Sequence, residues 1–135
     1  MKHIFLFLGL RYLIFTQIIQ NKYYFSDLQN EFSVSPVTTS PSIGDNVILG
    51  CSPPDGHPTP VVRWIKDGEF LDLSSANKFQ IVGSGNLVIS SVQKSDAGWY
   101  ICSARNLAGT RETNPTEIKI TGKHGYKTYH HSEKS

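Results

Sequence analysis

The chain is 135 residues long, enough for one ordinary domain and too short for two. Its formal net charge of +2, with no block of Lys/Arg interleaved with aromatics, gives no footprint for nucleic-acid binding. Apolar residues make up 39% and come in short runs separated by turn residues, which argues for many short strands and against a helical bundle.

The N-terminus, "MKHIFLFLGLRYLIFTQIIQ", has a basic start and an apolar run interrupted by Arg11. Two readings of residues 1–20 stand side by side. One is a secretory signal peptide, although no small-x-small cleavage site follows. The other is a segment foreign to the mature protein, such as a wrongly predicted first exon. The run is too short for a membrane-spanning helix. Residues 21–30 read as a linker.

From Phe32 to Thr121 the pattern is a series of period-two runs. "NVILGCS" aligns Val47, Leu49 and Cys51. "PVVRWIK" aligns Val62 and Trp64. "KFQIVG" aligns Phe79 and Ile81, and "NLVIS" aligns Leu87 and Ile89. "GWYICSA" aligns Tyr100, Cys102 and Ala104, and "TEIKITG" aligns Ile118 and Ile120. Each is expected to be a half-buried strand. The separators "SPSIGDN", "PPDGHPTP", "KDGE", "GSGN", "KSDAG" and "NLAGT" are turn signals. Six or more such strands with no helical period predict an all-β, two-sheet antiparallel sandwich over residues 31–121. The tail "GKHGYKTYHHSEKS" is polar and aperiodic, so residues 122–135 read as disordered, with His130 and His131 part of that tail.

The chain has two cysteines, Cys51 and Cys102, too far apart for a zinc site and best read as one disulfide. On inward positions of opposite sheets they would bridge the core, with Trp64 packed against them. Tyr100, two residues before Cys102, stands where a tyrosine corner would be, its hydroxyl reaching backbone near the preceding turn. Asp96 would face a cation, for which Lys78 is the candidate. Gly98 leaves room where the chain tightens. "KSDAGWYIC" is therefore expected to be architectural. No phosphate loop, catalytic triad order, metal-ligand spacing or cofactor motif is present, and His57 is alone in a proline-rich loop, so no enzymatic role is expected.

Cys51, Trp64, Leu87 and Asp96-x-Gly98-x-Tyr100-x-Cys102 resemble an immunoglobulin domain, and "SARNLAG" resembles the intermediate set of that family. More narrowly, "CSPPDGHPTPVVRWIKDGEFLDL" with "GNLVISSVQKSDAGWYICSARNLAGTRET" is similar to the second immunoglobulin domain of roundabout receptors. "DLQNEF", Asp27 to Phe32, resembles the joint from the first such domain. The resemblance implies an extracellular role, Slit-like ligands, axon guidance and cell migration, and a chain that is a piece of a longer receptor. The first domain, which carries most of the Slit contact in that family, is missing here. The alternative is a stand-alone secreted or adhesive domain acting as a spacer.

If Trp64 and Cys102 face inward, then Val61, Arg63 and Ile65 face outward on one strand, and Trp99, Ile101 and Ser103 on its neighbour. Val61, Ile65, Trp99 and Ile101, edged by Arg63, form the expected protein-binding face, since aromatics with arginine are typical of binding hot spots. Arg63, Lys66, Arg105, Arg111 and Lys119 form a second expectation, a heparan sulfate strip along the same strands. No glycosylation sequon is present to cover these faces, because Asn114 is followed by proline.

Overall fold

Alternation of apolar residues drives two sheets face to face, and each sheet contributes every second side chain to the layer between them. The computed structural model describes residues 9–14, 25–74 and 77–122. Residues 9–14 form a short exposed helix. No helix among the described residues is long and apolar enough to cross a membrane. The rest of the proposed leader, residues 21–24 of the linker and residues 123–135 of the tail, with His130 and His131, lie outside the described residues.

The strands are β1 (Asp27–Leu28), β2 (Val47–Leu49), β3 (Gly56–His57), β4 (Val61–Lys66), β5 (Glu69–Phe70), β6 (Phe79–Val82), β7 (Asn86–Ile89), β8 (Gly98–Asn106), β9 (Gly109–Glu112) and β10 (Thr116–Ile118). A 3-10 turn, Lys94–Asp96, precedes β8. One sheet has the order β2-β7-β6. The other runs β10-β8-β4-β5, with β9 also paired to β8, and all these pairings are antiparallel.

β9 and β10 lie end to end along one edge of β8. They are separated by a bulge at Thr113, whose side-chain oxygen accepts the N–H of Cys102 at 3.1 Å while its own N–H donates to the Cys102 carbonyl. The side chain there replaces a ladder bond that the bulge removes. The segment between β1 and β2 changes sheets. Val34 bridges antiparallel to Ser52, whereas Thr39 and Ser42 bridge parallel to Ile118 and Thr121 on the opposite layer. Asp27–Leu28, expected to be linker, is instead strand β1, paired with Gly56–His57. β2 stops at Leu49 rather than running on to Ser52, and the N–H of Cys51 is taken by the side chain of Asn86 at 2.9 Å.

The core contains the residues that the alternation aligned: Val47, Leu49, Cys51, Trp64, Leu87, Ile89, Tyr100, Cys102 and Ile118 are buried. Phe79, Ile81, Val62 and Ile120 pack partly buried against them. Cys51 and Cys102 form a disulfide across 51 residues of chain. Closing a loop of that length stabilises the fold by about 4 kcal/mol on the chain-entropy account.

The turn before β8 is built around two buried groups. The hydroxyl of Tyr100 donates to the Asp96 carbonyl at 2.7 Å. Burial, with the charges of Asp96 and Asp67 adding to it, raises the phenol above its ordinary pKa, so it remains a donor. The Asp96 carboxylate accepts from the Lys78 ammonium at 2.5 Å and from the Gln93 N–H at 2.7 Å. Lys78 also donates to the carbonyls of Ser90 and Ser91, so the ion pair joins β6, the end of β7 and the 3-10 turn.

Candidate recognition face

β4 and β8 pair with Ile65 opposite Ile101, Arg63 opposite Ser103 and Val61 opposite Arg105. Because Trp64 and Cys102 point into the core, these odd-numbered residues lie on the outer face. Trp99 is 51% exposed and Val61 66%, whereas Ile65 and Ile101 are half-buried. Phe70, which the sequence reading did not single out, lies directly opposite Ile65 on β5 and is 52% exposed. The signal for it was the tight "KDG" turn, which brings the next two residues back alongside Ile65 and Lys66.

Arg63 does not edge one continuous apolar patch. Its guanidinium carbon lies 3.7 Å from the centre of the Phe70 ring, a stacked cation–π contact. The row Arg63–Ser103–Glu112 then crosses the face between Ile65 and Val61. The apolar strip is therefore Phe70, Ile65 and Ile101 in one row with Trp99 two residues along β8, and Val61 is set apart. Ser103, expected to face outward, is only 5% exposed. Its short side chain sits between the longer Arg63 and Glu112, which cover it.

Trp99 is held from behind. Its N–H donates to the Asp67 carboxylate, and its carbonyl accepts the N–H of Asp67, each at 2.9 Å. A hydrogen bond from the Lys66 ammonium, followed by that from Trp99, lowers the Asp67 pKa, so the carboxylate is a charged acceptor at neutral pH.

The five cations expected to line one strip do not share a face. Arg63 and Arg105 are outward on β4 and β8. Lys119 is ion-paired to Glu117 at 3.3 Å. Lys66 is three residues from Arg63, so it falls on the opposite side, where it bonds Asp67 at 2.8 Å and lies 6.0 Å from the Tyr100 ring centre. Arg111 stands opposite Ala104, an inward residue. It donates to the Asn30 side chain at 2.9 Å and the Leu28 carbonyl at 3.2 Å, so it docks the leading segment onto the sandwich.

The residues from 29 to 106 match the model of the immunoglobulin domain family. The chain belongs to that family. Among curated proteins it is 39% identical over 93 residues to protein sax-3 of Caenorhabditis elegans, covering 69% of this chain and 7% of that protein. It is 41% identical to human Roundabout homolog 3 over an equal length, again 69% and 7%. It is 35% identical to mouse Roundabout homolog 4 over 102 residues, 76% and 10%. The chain thus spans at most a tenth of the length of these relatives. Tandem Ig repeats of Dlar superpose with a TM-score of 0.64 at 28% identity, covering 68% of this chain and 48% of that one. The immunoglobulin complex of titin M10 with obscurin-like 1 gives 0.60 at 30% identity, covering 68% and 92%.

Proposed function

We propose that this immunoglobulin domain is an extracellular, non-catalytic protein-recognition module and a piece of a roundabout-type receptor. We place the domain's start at Asp27, because β1, Asn30 and the Leu28 carbonyl are all bonded into the sandwich. Its binding face is the outer strip of Trp99, Ile101, Ile65 and Phe70, with Arg63 stacked on Phe70. The observation that carries this reading is Trp99, a large aromatic half exposed on a rigid strand and anchored through its backbone to Asp67. A preorganised aromatic beside a stacked arginine matches the composition of binding hot spots. The likeness to roundabout receptors supports the receptor assignment and makes a Slit ligand the first partner to test. The core disulfide supports an oxidising, extracellular setting.

The test is surface plasmon resonance of the oxidised chain against a Slit ligand, with Trp99→Ser as the comparison. The variant should keep its thermal unfolding midpoint and bind at least tenfold more weakly, a loss of about 1.4 kcal/mol or more. A folded wild-type chain that binds no Slit ligand rejects that partner. A Trp99→Ser chain that binds as well as wild type rejects the face. Unfolding of the variant would place Trp99 in the core.

A further inference from the structure

The other end of the same sheet carries different chemistry. A cleft of about 460 Å³ opens there, lined by Pro58, Val61, Arg63, Arg105, Asn106 and Leu107 among others. Its walls are apolar where Val61 and Leu107, 66% and 83% exposed, stand open to solvent. Arg63 and Arg105 line it and no carboxylate does, although the Arg63 guanidinium is stacked on Phe70, outside the lining. Neither arginine takes part in any ion pair among the described residues. Glu112, the acid nearest in register, stands opposite Ser103 and pairs with neither.

The cleft is also held open by a single side chain. The amide nitrogen of Asn106 donates to the Pro58 carbonyl at 2.9 Å and the Asp27 carbonyl at 2.6 Å. Its oxygen accepts the N–H of Ala108 at 2.8 Å. One amide therefore ties the loop that forms one wall to the turn that carries Leu107 on the other. Gly56 makes this possible, because a Cβ there would lie 2.9 Å from the Asn106 nitrogen and 2.8 Å from the Asp27 carbonyl. Walls fixed before a ligand arrives reduce the ordering cost of binding.

Arg105, which is in no ion pair among the described residues, selects an anion, and arginine grips a carboxylate through paired N–H donors. The exposed Val61 and Leu107 beside it favour a ligand that also brings apolar surface. A sulfated polysaccharide does not, whereas a peptide with Asp or Glu next to a bulky apolar side chain does. We infer that this cleft takes an acidic-apolar peptide segment of a protein partner, its carboxylate held by Arg105 and its apolar side chain laid against Val61 and Leu107. The inference rests on the recognition-module reading but not on the Trp99 strip.

The experiment is selection of random heptapeptides on phage against the oxidised chain, followed by an NMR titration of the best peptide and, separately, of a heparin tetrasaccharide. Enriched peptides should pair Asp or Glu with Leu, Ile or Phe. Amide shifts should centre on Val61, Arg63, Arg105 and Leu107. Arg105→Gln and Leu107→Ser, both at exposed positions, should each weaken the peptide at least tenfold while Trp99→Ser leaves it unchanged. The proposal is overturned by no enrichment, by enriched peptides that lack acids, or by heparin saturating the cleft amides while no peptide does, which would make it a polysaccharide site. Loss of peptide binding in Trp99→Ser with none in Arg105→Gln would instead assign recognition to the Trp99 strip.

Discussion

Asp67 and Trp99 are joined twice, the N–H of each donating to an oxygen of the other, once to a carboxylate and once to a carbonyl, both at 2.9 Å. This reciprocal pair locks the turn after β4 to the start of β8, beneath a half-exposed aromatic of the proposed recognition face. Because the acceptor is a carboxylate, the lock is sensitive to acid. The Asp67 pKa is lowered below the 3.8 of a free aspartate, so its contribution is present above the unfolded-state value and is lost as pH falls through the lowered folded one. The Trp99 amide proton should titrate with a midpoint below 3.8 in an NMR pH series. Asp67→Asn should abolish that titration and flatten the decline in urea-unfolding stability between about pH 5 and about pH 2. The side chain is half exposed, so the stability change is small and the amide shift is the sharper readout.

Gly98 is required by the same pair. A Cβ there would stand 2.5 and 2.7 Å from the two Asp67 carboxylate oxygens, on a backbone with a φ of 143°. Gly98→Ala should displace the carboxylate and destabilise the fold by about 1–3 kcal/mol in urea titration. The Trp99 amide should exchange faster with solvent in the variant. An unchanged exchange rate would show that Asp67 is not what protects it.

The buried end of the turn gives a larger effect. Asp96 is 4% exposed and holds Lys78 and the Gln93 N–H, while its carbonyl takes the Tyr100 hydroxyl. Tyr100→Phe removes one neutral hydrogen bond and should cost about 1 kcal/mol. Asp96→Ala leaves the Lys78 ammonium, part-buried among carbonyls, without its counter-charge and should cost on the order of 3 kcal/mol. Equal effects of the two substitutions, measured by chemical denaturation, would show that the ion pair adds nothing beyond the hydroxyl.

Period-two alternation made the core legible, because each inward residue of a half-buried strand repeats the same physical demand. Val47, Leu49, Leu87, Ile89, Tyr100 and Cys102 could be read that way. The Lys78–Asp96 pair could be read from their places just before the strand patterns that became β6 and β8. The surface was harder. Lys66 was excluded from the Arg63 face by parity alone, three residues along one strand, and that was available in the sequence. Arg111 was not, since its side depends on how the turn at 106–109 sets the register of β9 on β8. Phe70 and Asp27 lie in two-residue strands, too short to show any period. The burial of Ser103 depends on side chains from two other strands.

Trp64 shows how a residue readable as core carries a second, unreadable contact. Its indole N–H donates to the Gly85 carbonyl at 2.9 Å, so the sheet containing β4 is hydrogen-bonded to the turn that leads into β7 on the other sheet. "GSGN" is thus a hairpin turn that also supplies an acceptor to the core. A Cβ at Gly85 would meet Val62 at 2.9 Å and the Cys51 carbonyl at 3.1 Å, next to the disulfide. Gly85→Ala must push this turn away from β4, which lengthens the indole bond and overpacks Val62. It should cost about 1–3 kcal/mol. Trp64→Phe removes the donor and leaves a buried carbonyl unpaired as well as a smaller ring, so it should cost about 2–4 kcal/mol. If the two act through one contact, the double variant measured in urea should lose less than the sum of the two single losses. Strict additivity would mean that the turn and the indole are energetically independent, and that the bond between the sheets contributes nothing to holding them together.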